Sequence, residues 1–241
     1  MVSQISLCQY TLKIPSQIAY FLKSVDNNIY LLFLLNSVNK HLTYPSKCEV
    51  SFLTGATSEE VKKVSSWVEY ANKVINDYFG TVTSFDVLIC RGRWEMEVQV
   101  ISRKSQSTFS IYSDTKFVGI TDYRLGEIII RSDIARFGHY LHELIHGIIS
   151  KNHPHQLREG FAWYFTLKLT ERYRYVRPSY PSWVDMLYVY PVNRLAEIVG
   201  DEFLKDLAVG KASIQHDLLP RDVQDLFVSE EVFYSKKRSH K

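Results

Sequence analysis

Apolar residues at Val61, Val64, Val68, Ala71, Val74, Ile75 and Tyr78 recur every three or four positions, the repeat of one helix face. Thr57 followed by Glu60 is a capping box in front of that stripe, and Gly80 closes it. Ahead of this helix, KCEVSFL reads as a short strand. Behind it, SFDVLICR, EMEVQVIS, TFSIYS and EIIIRS carry alternating or continuous apolar runs, and all four are expected to be strands. A second helix is expected from a cap at Asp133. Its apolar stripe is Ile134, Phe137, Leu141, Leu144, Ile145 and Ile148, and Asn152 and Pro154 end it. A third helix runs over about Gln156 to Arg172 after a short turn. Pro178 and Pro181 mark a loop, and Pro191 suits the first turn of a helix that stops at Gly200. Asp201 to Val209 and Arg221 to Phe233 also read as helical. Before residue 47, SQIAYFLKSV and NIYLLFLLNSVNKHL fit short helices or apolar strands equally, and Tyr44-Pro45-Ser46 is a break.

The pattern therefore predicts an α+β chain, an α/β part followed by an α-helical half. Residues 1–46 form a segment without a clear role, 47–150 the α/β part, 151–233 the helical part and 234–241 a basic tail. Composition adds exclusions. At 46% hydrophobic and 23% charged over 241 residues, the chain is an ordinary globular protein with length enough for a core. A net charge of +3, with its only basic run in the tail, argues against nucleic acid as partner. Cys8, Cys48 and Cys90 are odd in number and lie far apart, so neither a disulfide framework nor a cysteine metal site is expected. The opening residues MVSQISLCQYTLKI lack a basic start followed by an apolar core. The most apolar early run, Ile29 to Leu35, is far short of the roughly 20 residues needed to span a bilayer. The expectation is a cytoplasmic protein without a membrane partner.

Chemistry enters at HELIH, residues 142–146, inside the second helix. Four residues of α-helix turn about 400°, so His142 and His146 point the same way and two imidazoles can grip one zinc ion. Glu143 projects about 100° away, where a carboxylate can take a proton from a bound water and pass it to a leaving amine. Two imidazoles make a poor zinc site, and a third protein ligand is expected. A metzincin would carry Gly at 149 and His at 152, where this chain has Ile149 and Asn152. His153 and His155 lie beside Pro154 and read as solvated loop residues. Glu159 is better placed. If the chain reverses over residues 151–158, the third helix packs back along the second, and its first turn approaches the two histidines. Gly160 and Ala162 are small enough to let the two helices close up. A helix N-terminus also favours a carboxylate.

HELIH followed by EGFAWY resembles the gluzincin metallopeptidases, from about residue 47 to 205. The resemblance implies a zincin-like catalytic domain with a twisted mixed sheet and an active-site helix. It implies one zinc ion per chain held by His142, His146 and Glu159, with Glu143 as general base, and a sheet edge that binds substrate backbone. EIIIRSD, just ahead of the active helix, is a candidate strand of that sheet. This chain departs from the aminopeptidase pattern in three ways. Residues 147–158 are a short link between the second histidine and Glu159. Trp163 stands four residues after Glu159, where a carboxylate orienting a zinc histidine is common. No counterpart of the GAMEN segment is present. The family also implies a tyrosine that donates to the developing oxyanion. Tyr190 is the first candidate and Tyr188 the second.

The expected function is zinc-dependent hydrolysis of a peptide or an unfolded protein substrate. The alternative is a non-catalytic gluzincin-like module that binds metal or another protein; in a structural metal site His139, one turn ahead of the pair, can serve as the fourth ligand.

Overall fold

A computed structural model describes residues 40–43, 49–53, 56–103, 118–178, 180 and 182–228, all within the unit Asn39–Lys241. The expected strand TFSIYS, the basic tail, the end of the Arg221–Phe233 helix and residues 1–39 lie outside the described residues.

The structure is a mixed α+β fold, mostly helical, built on one open sheet. Strands β1 (Lys40–Thr43), β2 (Glu49–Phe52), β3 (Asp86–Cys90), β4 (Gly119–Asp122) and β5 (Glu127–Arg131) are ordered β1-β2-β3-β5-β4. β2, β3 and β5 run parallel, and antiparallel β1 and β4 flank them. The continuous apolar runs VLIC and III belong to β3 and β5, two of the three strands with neighbours on both sides. Buried on both faces, they need no polar alternation. β2 and the edge strand β4 alternate instead.

Period-two geometry sorts the side chains. Val50, Phe52, Val87, Ile89, Ile128 and Ile130 face the main core. Leu88, Cys90, Ile120 and Ile129 face the other way. The main face is covered by α1 (Ser58–Phe79), with its Thr57–Glu60 capping box and left-handed Gly80 as expected, and by α3 (Phe137–His146). The opposite face is covered by α2 (Arg93–Arg103), which corrects the expected strand EMEVQVIS. The Met-Val-Val alternation there suits either period. The helix wins because Met96 and Val100, four apart, seat on Leu88, Cys90 and Ile129. Glu95 also accepts from the Arg91 amide at 2.6 Å, and Arg93 pairs with Glu97.

α3 also starts later than expected. Asp133 does not cap it, because Arg131 holds the Asp133 carboxylate through two contacts of 3.1 and 2.7 Å. The chain turns there, with the Ala135 amide on the Arg131 carbonyl at 3.1 Å, which leaves Ile134 exposed rather than in the stripe. The helix ends at His146 rather than near Asn152, and residues 147–153 make turns up to Pro154, the N-cap of α4 (His155–Arg172). A short turn Ser182–Val184 and a π-helical turn Asp185–Val189 lead into α5 (Tyr190–Val199), with Pro191 in its first turn. α6 (Asp201–Ala208) and the short α7 (Arg221–Gln224) complete the helical half, and the expected helix from Arg221 passes into a 3-10 turn at Asp225–Phe227. The main core runs from Val50 to Leu226 without a break near residue 150. Among the described residues no helix is long and apolar enough to cross a membrane.

Candidate metal centre

The one-face placement of His142 and His146 on α3 turns both imidazoles into the protein, where they are 7% and 3% exposed. Their Nε2 atoms face each other at 3.2 Å. The chain reverses over the turns 147–154, and α4 brings Glu159 alongside. One carboxylate oxygen is 3.3 Å from His146 Nε2 and the other 3.8 Å from His142 Nε2. These are the residues among those described whose ligand atoms gather within 4.8 Å of one another. Ligand atoms about 2.1 Å from a tetrahedral zinc stand about 3.4 Å apart; the 3.2 and 3.3 Å separations match this, and the 3.8 Å one, from the second carboxylate oxygen, is longer. His139 does not belong to the group. Its Nδ1 accepts the Arg136 amide at 2.9 Å, at the start of the same helix.

The donor chemistry fits as well. Burial, with His146 alongside, pushes His142 down to about 3 and keeps it neutral with a lone pair to give. His146 is also pulled down by burial, but the neighbouring Glu159 carboxylate outweighs this and holds it above its ordinary value. Burial would raise Glu159. The His146 charge and hydrogen bond overcome it and hold the carboxyl well below the usual carboxylate range. The cluster is thus an anion and two imidazoles converging on one point.

Glu143 is 8% exposed and faces the edge strand. Thr121 Oγ1 donates to its Oε2 at 2.7 Å. A Cβ at Gly119 would come within 2.5 Å of its Oε1, so only glycine leaves room for the carboxylate there. Both residues follow from register: Ile120 points to the opposite face, so Gly119 and Thr121 point to the face that carries α3. Burial, the largest influence, raises Glu143 to about 7.

The remaining supports come from the β4–β5 hairpin. Asp122 caps the β4–β5 hairpin, its Oδ1 accepting the amides of Arg124 at 3.0 Å and Leu125 at 3.2 Å. The next residue, Tyr123, then reaches His146 Nδ1 with its hydroxyl at 2.8 Å. The short GITD run, followed by YRLG with left-handed Gly126, is the sequence signal for this hairpin. Trp163, four residues after Glu159, lies against the His142 ring at 4.2 Å between centroids.

Other expectations shift. Gly160 does not close α4 onto α3. A Cβ there would meet Val192 at 2.6 Å and the Tyr188 carbonyl at 3.3 Å, so its smallness serves the contact with α5. His153 is not a solvated loop residue, because its Nε2 bonds the Leu207 carbonyl at 2.7 Å and burial lowers its pKa. His155 opens α4, half-buried. Tyr188 is buried in a cluster with Val184, Val189 and Trp163. Tyr190 is 53% exposed and lines a surface groove with Tyr164, Asn193 and Glu197. The structure brings neither tyrosine into the triad.

Comparisons with protein-family profiles and with curated protein sequences find no match. Among solved structures, the M1 zinc metallopeptidase of Deinococcus radiodurans is similar with a TM-score of 0.39 and 13% identity. The match covers 83% of this chain and 47% of that one, so the chain spans about half the length of that protein. The similarity is remote, and the functional reading rests on the geometry of the site.

Proposed function

We propose that the chain is a zinc-dependent peptidase binding one zinc ion through His142, His146 and Glu159. The observation that carries this is a three-residue ligand set beside a fourth, buried side chain suited to proton transfer. Three protein ligands are the catalytic pattern, since structural zinc sites have four. When bound, zinc supplies Lewis acidity, polarising the scissile carbonyl and bringing the pKa of its water toward roughly 7. Glu143, buried beside the cluster, is placed to accept a proton and return it to the departing amine. Thr121 and the open space at Gly119 fix where its carboxylate sits. β4 has no strand on its outer side among the described residues, and an extended peptide can add there by backbone pairing.

Glu143→Gln tests the reading. The variant is expected to keep one zinc per chain, because Glu143 is not a ligand. It is expected to lose cleavage of an unfolded protein substrate by at least about 100-fold. Undiminished cleavage by the purified variant would remove Glu143 from the chemistry. A non-catalytic metal module would instead show zinc in both proteins and cleavage in neither.

A further inference from the structure

Resting on the zinc reading, we propose that Tyr123 is the positioning residue for His146: its hydroxyl holds Nδ1, so that Nε2 is the nitrogen presented to the cation. The 2.8 Å contact joins the β4–β5 hairpin to a metal ligand, and the same hairpin strand carries Thr121 and Gly119 against Glu143. Ligand and base are therefore set by one element.

The phenol is itself held from several sides. The Arg158 guanidinium lies 4.3 Å over its ring, Phe85 meets it edge-on at 5.8 Å, and the His146 ring stands perpendicular to it. Arg158 is fixed in turn by donating to the carbonyls of Lys151 and His153, at 3.1 Å each, one residue before Glu159 on α4. The Tyr123 hydroxyl therefore cannot swing away without unstacking the ring. The two ligand histidines are treated unequally. His142 has its ring packed on Trp163 and the backbone of Ala162 as its polar neighbour. His146 is held by a polar bond. With Nε2 given to the cation, His146 carries its proton on Nδ1 and donates it to the phenol oxygen. A partner at the far nitrogen of a ligand histidine fixes both tautomer and ring orientation.

Tyr123→Phe removes that oxygen and keeps the ring stack. In competition with a chromophoric chelator, the variant is expected to bind zinc about 10–100-fold more weakly than wild type. Tyr190→Phe, on the outer groove, is expected to bind zinc as wild type does. Nitrogen-15 spectra separate positioning from packing: the His146 Nδ1 signal should move in Tyr123→Phe while the His142 signals stay. Zinc affinity within twofold of wild type overturns the proposal, as does weakened binding with unmoved His146 nitrogens. Should the variant not fold, zinc-loaded wild type decides: a slowly exchanging imidazole proton on His146 Nδ1 is required, and its absence is fatal. Failure of the zinc reading looks different, since wild type would then take up no zinc at all.

Discussion

Glu143 is a carboxylic acid that the fold keeps protonated further up the pH scale than water does. Its pKa rises from 4.5 to about 7 chiefly through burial, against the opposing pull of His146 and the Thr121 hydroxyl. Between those two values the folded chain binds a proton that the unfolded chain has released. Stability from this group is therefore present below about pH 4.5 and is lost as pH rises toward 7. The shift corresponds to a loss on the order of 3 kcal/mol. Metal-free wild type should thus lose stability relative to metal-free Glu143→Gln as pH goes from about 4.5 to 7, with the difference levelling off above. Urea unfolding of the two proteins at several pH values reads this directly, and parallel curves would mean that Glu143 is not desolvated.

At the scale of elements, small residues decide which surfaces meet. Gly160 sits where α4 crosses α5, and a methyl group there would overlap Val192 Cγ2 and press on the Tyr188 backbone. Gly160→Ala is expected to destabilise the fold by about 1–3 kcal/mol despite the better helix propensity of alanine. Denaturant titration checks it, and a variant as stable as wild type would show that the crossing is loose. The motif, both helices around it and the capping box of α1 were legible because helical period and HELIH agree over long stretches. What supports the site was harder to read. β4 has four residues and buries only Ile120 and Asp122, too little period to announce an edge strand. EMEVQVIS carries a two-residue alternation that a helix also satisfies when Met96 and Val100 seat on the sheet. Asp133 looks like a cap in sequence, but Arg131 captures it in space. The close approaches of Gly119 and Gly160 are tertiary facts, and the sequence shows only that a glycine is there.

Over the whole molecule, the ligand set bridges α3, which rests on the sheet, and α4, which belongs to the helical half. The turn between them is pinned independently of any cation. The Ser150 amide bonds the Ala208 carbonyl at 2.9 Å, His153 bonds Leu207, and Gly147 lies too close to Thr83 to admit a Cβ. A site held this firmly by its surroundings exists before the ion arrives, so binding energy is not spent on folding the turn. Zinc should then act as a ligand of the native state, adding RT ln(1 + [L]/Kd) to stability. At a free concentration 100 times Kd that is about 2.7 kcal/mol, or roughly 5–10 °C in Tm for a domain of this size. Calorimetry with and without zinc measures it, and a chelator should reverse the shift. With Glu159 as the proposed ligand from α4, Glu159→Gln should shrink the shift without removing the fold, because the core contacts of that helix remain. An unchanged Tm across a full zinc titration of wild type would mean that the two helices converge for packing alone. A shift of the same size in Glu159→Gln would mean that the ion is held by the imidazoles without help from α4.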